Sequence, residues 1–159
     1  MVENGIVSES SGSTFTLLTK IGRLVLRYDR NTTSVSVDPN SGKTVNEPLN
    51  ANELYQGAEL SVEYYQFNNL ALNVVIKPSD NVLYTLISGN INEITGLNIT
   101  LNAIFNQAPR ILLINYDSDN IIIIKSDGSP GNIGDLNVGM NIQVYCNGGS
   151  TNAAVIVIQ

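Results

Sequence analysis

The chain repeats itself, and that repetition constrains its fold more than any other feature. Residues 5–17 read G-I-V-S-E-S-S-G-S-T-F-T-L, and residues 89–101 read G-N-I-N-E-I-T-G-L-N-I-T-L. Without a gap, Gly5 lies over Gly89, Val7 over Ile91, Glu9 over Glu93, Gly12 over Gly96, Phe15 over Ile99 and Leu17 over Leu101. With small insertions the match continues. Arg23 to Asp29 lies over Ile111 to Asp117, both ending in Tyr-Asp; Leu54 to Val62 lies over Leu136 to Val144, keeping Leu, Gly and Val; and Ala71 to Ile76 lies over Ala153 to Ile158. Two copies of one β-rich unit must each bury an apolar face, and must do so by the same pattern.

Each copy reads as a strand, a tight turn at Gly12 or Gly96, a second strand, and a third that ends at Tyr-Asp. A hairpin turn needing positive φ explains those two glycines. A fourth strand follows (Val35 to Val37, or the Ile121 to Ile124 run), then a polar loop, a short helical turn and two final strands. Asn50 and Gly57 suit the cap and stop of that turn in the first copy, with Gly134 to Gly139 as the shorter counterpart. Alternation gives the inward set: Leu60, Val62 and Tyr64 face one way, and Ile142, Val144 and Cys146 repeat the phase, leaving Gln143 and Tyr145 outward. The joining segment Lys77 to Asn81 is short, which predicts two copies packed side by side.

Composition then narrows the functional classes. An apolar fraction of 43%, rich in Ile, Val and Leu, supports a packed interior rather than disorder. Charged residues make up 14%, the net charge is -6, and the 8 basic residues form no cluster, so nucleic acid is not an expected partner. There is no His, which removes the commonest general base and neutral metal ligand. Cys146 stands alone, so no intrachain disulfide or thiolate zinc site can form, and its phase makes it a small core residue. No basic region followed by an apolar stretch opens the chain, so no signal peptide is visible. No apolar run reaches the roughly 18 residues of a membrane helix, and membrane insertion is not expected.

Several residue groups invite a chemical reading. Asp38 to Gly42 and Asp117 to Asn120 alternate oxygen-bearing side chains as calcium loops do, but neither runs on to a bidentate Glu, and β-turns explain the same residues. Glu9 and Glu93 could pair as acid and base, yet equivalent positions share environments, whereas such a pair needs different ones. No catalytic residue, metal ligand or cofactor follows, and the chain is not expected to be an enzyme. Tyr64 to Asn69 is the densest aromatic stretch. There Tyr65 and Phe67 fall opposite the core phase, which makes them the candidate partner- or ligand-binding residues.

The Gly-started strand, the hairpin to T-L, the motif L-x-x-G-x-x-[IL]-x-V and the closing A-x-x-[IV]-x-I strand together resemble the small OB-like β-barrel domains of unknown function in bacterial surface and envelope proteins. The resemblance implies an all-β fold: two tandem OB-like barrels related by internal duplication, residues 1–80 and 81–159. It implies no catalytic residue. The function expected is a structural or interaction module of a bacterial envelope, coat or filament. It would act through sheet edges and outward aromatics on a protein partner or on further copies of itself, at the cell surface, in a spore coat or outside the cell. A carbohydrate- or peptide-binding module is the alternative.

Overall fold

The computed structural model describes residues 1–29, 31–37, 54, 56–77, 84–105 and 107–159. Two compact units divide the chain, Met1–Thr19 with Arg23–Leu83 and Lys20–Gly22 with Tyr84–Gln159.

The first unit contains β1 (Val2–Ser11), β2 (Thr14–Thr19), β3 (Gly22–Arg27), β4 (Ser34–Val37), β5 (Glu59–Tyr65) and β6 (Leu70–Lys77). They are ordered β3-β2-β1-β5-β6-β4, and a further β3–β6 pairing turns five of them into a ring. The second unit contains β7 (Thr85–Thr95), β8 (Asn98–Phe105), β9 (Ala108–Tyr116), β10 (Ile122–Ile124), β11 (Asn141–Cys146) and β12 (Asn152–Ile158). Its order, β10-β12-β11-β7-β8-β9 with a β12–β9 pairing, is the same plan. A five-stranded Greek-key ring whose third and last strands close in parallel is the OB plan, so the fold is all-β and consists of two small OB-like barrels.

The aligned residues do the same work in both rings. Gly12 (φ 55°) and Gly96 (φ 60°) make the β1–β2 and β7–β8 turns, in a region that costs a side chain energy. A β-bulge interrupts β1 between Val7 and Glu9, and another interrupts β7 between Ile91 and Glu93. Beyond it, Val7 N–H donates to the Ala58 carbonyl at 2.9 Å and Gly57 N–H donates back to Val7 at 2.8 Å. Ile91 exchanges the same two bonds with Met140 and Gly139, both at 2.8 Å. Gly57 and Gly139 share positive φ, 86° and 90°, so the invariant spacing of that Gly anchors the final hairpin on the bulge.

The Tyr-Asp ending also acquires a cause. Tyr28 N–H donates to Ser13 at 2.7 Å and Tyr116 N–H to Leu97 at 3.1 Å, tying the end of the third strand to the first hairpin turn. The Asp then starts a turn: Asp29 Oδ1 accepts from Asn31 N–H, and Asp117 Oδ1 from Asp119 N–H. The ring closes just before the Tyr, with Arg27 N–H donating to Asn69 at 2.7 Å and Asn115 N–H to Thr151 at 2.9 Å.

Each ring holds its own core. Val7, Phe15, Leu17, Leu26, Leu60, Val62 and Val74 fill the first; Ile91, Ile99, Leu101, Ile114, Val144 and Ile156 fill the second. Val7 and Ile91, like Val62 and Val144, are wholly buried in matching places. Tyr64 and Cys146 are also inward, at equivalent bulges opposite Ala71 and Ala153.

Tyr145 corrects the alternation argument. It lies in the phase opposite Val144, where solvent was expected, yet it is buried. Strand phase fixes the face on which a side chain stands, and the outer face of a barrel need not be wet. The short helical turn of the second copy is a 3₁₀ turn, Ile133–Asp135, capped by Asn132 and Asp135 in a reciprocal box. The corresponding first-copy expectation at Asn50, and the loop Asp38 to Gly42, lie outside the described residues.

Candidate interaction surface

Tyr65 ends β5 and Phe67 stands at the tip of the β5–β6 loop, as their phase predicts. Tyr65 is 48% exposed and Phe67 83% exposed. Their ring centroids are 5.6 Å apart and tilted by 43°, so the two aromatics form one small apolar platform. The loop beneath is ordered by its own sequence. Asn69 takes a left-handed φ of 54°, which Asn tolerates, and Asn68 Oδ1 accepts from Leu70 N–H at 3.1 Å.

The matched loop of the second barrel has the same frame and a different surface. Ser150 replaces Asn68: its Oγ accepts from Asn152 N–H at 3.2 Å. Gly148 and Gly149 stand where Gln66 and Phe67 stand, so no aromatic platform exists there. The second barrel exposes apolar groups elsewhere, on the outer face of β8–β9. Ile104 is 75% and Ile111 73% exposed, with Leu113 on the same face of β9. Sequence reasoning missed these three: Ile104 stands near the end of β8, and the aliphatic run Ile111 to Ile114 shows no alternation until the register with β8 places alternate residues outward.

The remaining candidates resolve into structure. Glu9 and Glu93 each follow a bulge, are exposed and sit at the same point of separate rings; Glu93 accepts from Thr95 Oγ1 at 3.0 Å. Asp117 organises a turn: Asn120 Nδ2 donates to Oδ2 at 2.7 Å, and Ile121 N–H donates to its carbonyl at 2.8 Å. The bond from Asn120 foremost, with that from Asp119 N–H, holds its carboxyl below the ordinary range. Among the described residues no cluster of three or more His, Cys, Asp and Glu side chains could hold a metal ion. Burial pushes the Cys146 thiol up to about 11, which suits a core residue and opposes thiolate chemistry. Among the described residues no helix is long and apolar enough to cross a membrane.

A cleft of about 620 Å³ opens at one end of the second barrel, lined by Thr85, Ile87, Phe105, Leu112 and residues 149–152. A more polar one of about 640 Å³ lies in the first, against Ser8 to Gly12, Leu54 and Gln56. No family model matches the chain, and no curated protein is significantly similar to it.

Proposed function

We propose that this protein is a non-enzymatic interaction module of a bacterial envelope, coat or filament, which binds a protein partner or further copies of itself through the Tyr65–Phe67 platform. The observation that carries the reading is Phe67, a large apolar side chain almost fully in water at the tip of an ordered loop. Burying one such side chain is worth about 1.5–3 kcal/mol, and a loop already fixed by its own hydrogen bonds loses little further entropy on contact. The exposed Ile104, Ile111 and Leu113 add a second apolar area. Sheet edges add to this: closure pairs β3 with β6 only at Arg27 and Leu70 and β9 with β12 only at Asn115 and Tyr116, whereas the short β10 has its far side met by the Ile124–Pro130 bridge and by Gly131 N–H on the Ile123 carbonyl.

Sedimentation and electron microscopy of the full chain over rising concentration test this. Ordered association that is lost in the Tyr65→Ser/Phe67→Ser variant supports it, and a monomer at every concentration, with no partner binding altered by that variant, overturns it. The tilted aromatic pair also favours a second reading, a carbohydrate- or peptide-binding module. Amide shifts confined to residues 65–69 on adding saccharides or peptides, without assembly, would select it.

A further inference from the structure

The end of the second barrel is hollow where the matched end of the first is filled. By the alignment, Met1, Tyr64 and Phe67 of the first barrel correspond to Thr85, Cys146 and Gly149 of the second. Tyr64 is buried and its hydroxyl donates to Met1 Sδ at 3.1 Å, so a phenol ring and a thioether occupy that end. In the second barrel Thr85 pairs with Cys146 across β7–β11, and Gly149 has no side chain. The Met1 and Tyr64 that meet at the first barrel's end give way to the smaller Thr85 and Cys146, whereas Phe67, which Gly149 replaces, already stands in water, and the cleft of about 620 Å³ lies at this end of the second barrel. That volume lies within the roughly 300–1,000 Å³ of small-molecule sites.

The lining specifies what would fill it. Ile87, Phe105 and Leu112 make an apolar wall, and Thr85, Ser150, Thr151 and Asn152 add hydroxyls and a carboxamide. Among the described residues no charged side chain lines the cleft, so none of these would pair with a carboxylate or phosphate. A purely apolar ligand would strip water from the rim without replacing its hydrogen bonds.

We propose that this mouth binds a neutral saccharide, with the C–H face of a sugar ring against Phe105 and Leu112 and its hydroxyls on Thr85, Thr151 and Asn152. The site lies on other residues, in the other barrel, than the Tyr65–Phe67 platform, and stands or falls separately from it.

The test is an amide NMR titration of the full chain with neutral hexoses, N-acetylhexosamines and their disaccharides at millimolar concentration, with a uronic acid as the charged control. Shifts at residues 85–87, 112 and 149–152 are expected with neutral sugars, while 65–69 stay still. Thr85→Met, which installs the first barrel's residue, and Phe105→Ala should each weaken binding by about tenfold or more. Thr85→Met is the decisive variant should Phe105→Ala fail to fold, and Tyr65→Ser/Phe67→Ser should bind sugars as the parent does. No shift in the cleft with any neutral saccharide, or undiminished binding by Thr85→Met, overturns the proposal.

Discussion

Replacing Gly89 by alanine should destabilise the second barrel, although the backbone there lies outside the left-handed region and alanine could adopt it. Gly89 pairs with Ala103 across β7–β8. A Cβ built on it would stand 2.7 Å from the Asn102 carbonyl oxygen and 3.1 Å from Ala103 Cα. Both are backbone atoms of the neighbouring strand, so relief requires moving β8 rather than turning a side chain. An unobstructed strand Gly→Ala change gains about 0.5–1 kcal/mol; overpacking of this kind costs about 1–3 kcal/mol. The net expectation is a loss of about 1–2 kcal/mol.

With a urea slope of about 1 kcal/mol/M for a unit this small, the midpoint of the second barrel should fall by about 1–2 M. Amide peak intensities followed through a urea series report each barrel separately, which a two-barrel chain requires. Gly5→Ala should act alike on the first barrel, because its Cβ would run into the Leu18 carbonyl oxygen and stand 2.8 Å from Leu17 Cγ. A Gly89→Ala protein that unfolds at the same or higher urea concentration would refute the close strand approach, and with it the reason both copies begin on Gly.

Three further outcomes follow from the same geometry. Tyr116→Phe removes the hydroxyl that donates to the Gly96 carbonyl at 2.7 Å and should cost about 0.5–1.5 kcal/mol by the same urea assay; no loss would mean the bond is not formed in solution. Cys146, buried with its thiol pushed up to about 11, should resist a thiol reagent at mildly alkaline pH until denaturant is added, and fast native labelling would contradict its core placement. The Asp117 carboxyl, held down by Asn120 and Asp119 N–H, should titrate below the ordinary Asp range by carbon NMR. Because its folded pKa lies under its unfolded one, its support of the turn is complete above the unfolded pKa and fades as pH falls through the folded one; a midpoint at or above the ordinary value would oppose the turn.

Much of the fold was legible because the chain states its pattern twice. Gly12 and Gly96, the Val7 and Ile91 cores, and the shared Tyr-Asp ending could each be read as one structural need met in two places. Ring closure was not legible. Arg27 meets Leu70 and Asn115 meets Asn152 over long separations in sequence, and no local periodicity encodes a parallel pair of that kind. Period-2 reading placed Tyr65 and Phe67 outward correctly, since a loop tip has no second layer over it. The same rule failed at Tyr145, whose outer face is covered. The cleft at Phe105 and Leu112 was not legible for a different reason: it goes with what is small at Thr85 and Cys146, and an absent side chain leaves no motif.

Hydrogen exchange at two amides tests the ring plan most directly. Arg27 N–H and Asn115 N–H form the seams, donating to Asn69 at 2.7 Å and to Thr151 at 2.9 Å. If both sheets close, these amides exchange slowly, alongside the interior strand amides of their own barrels. If either exchanges at the rate of an unpaired strand edge while its neighbours stay protected, that sheet is open and the two-barrel account fails.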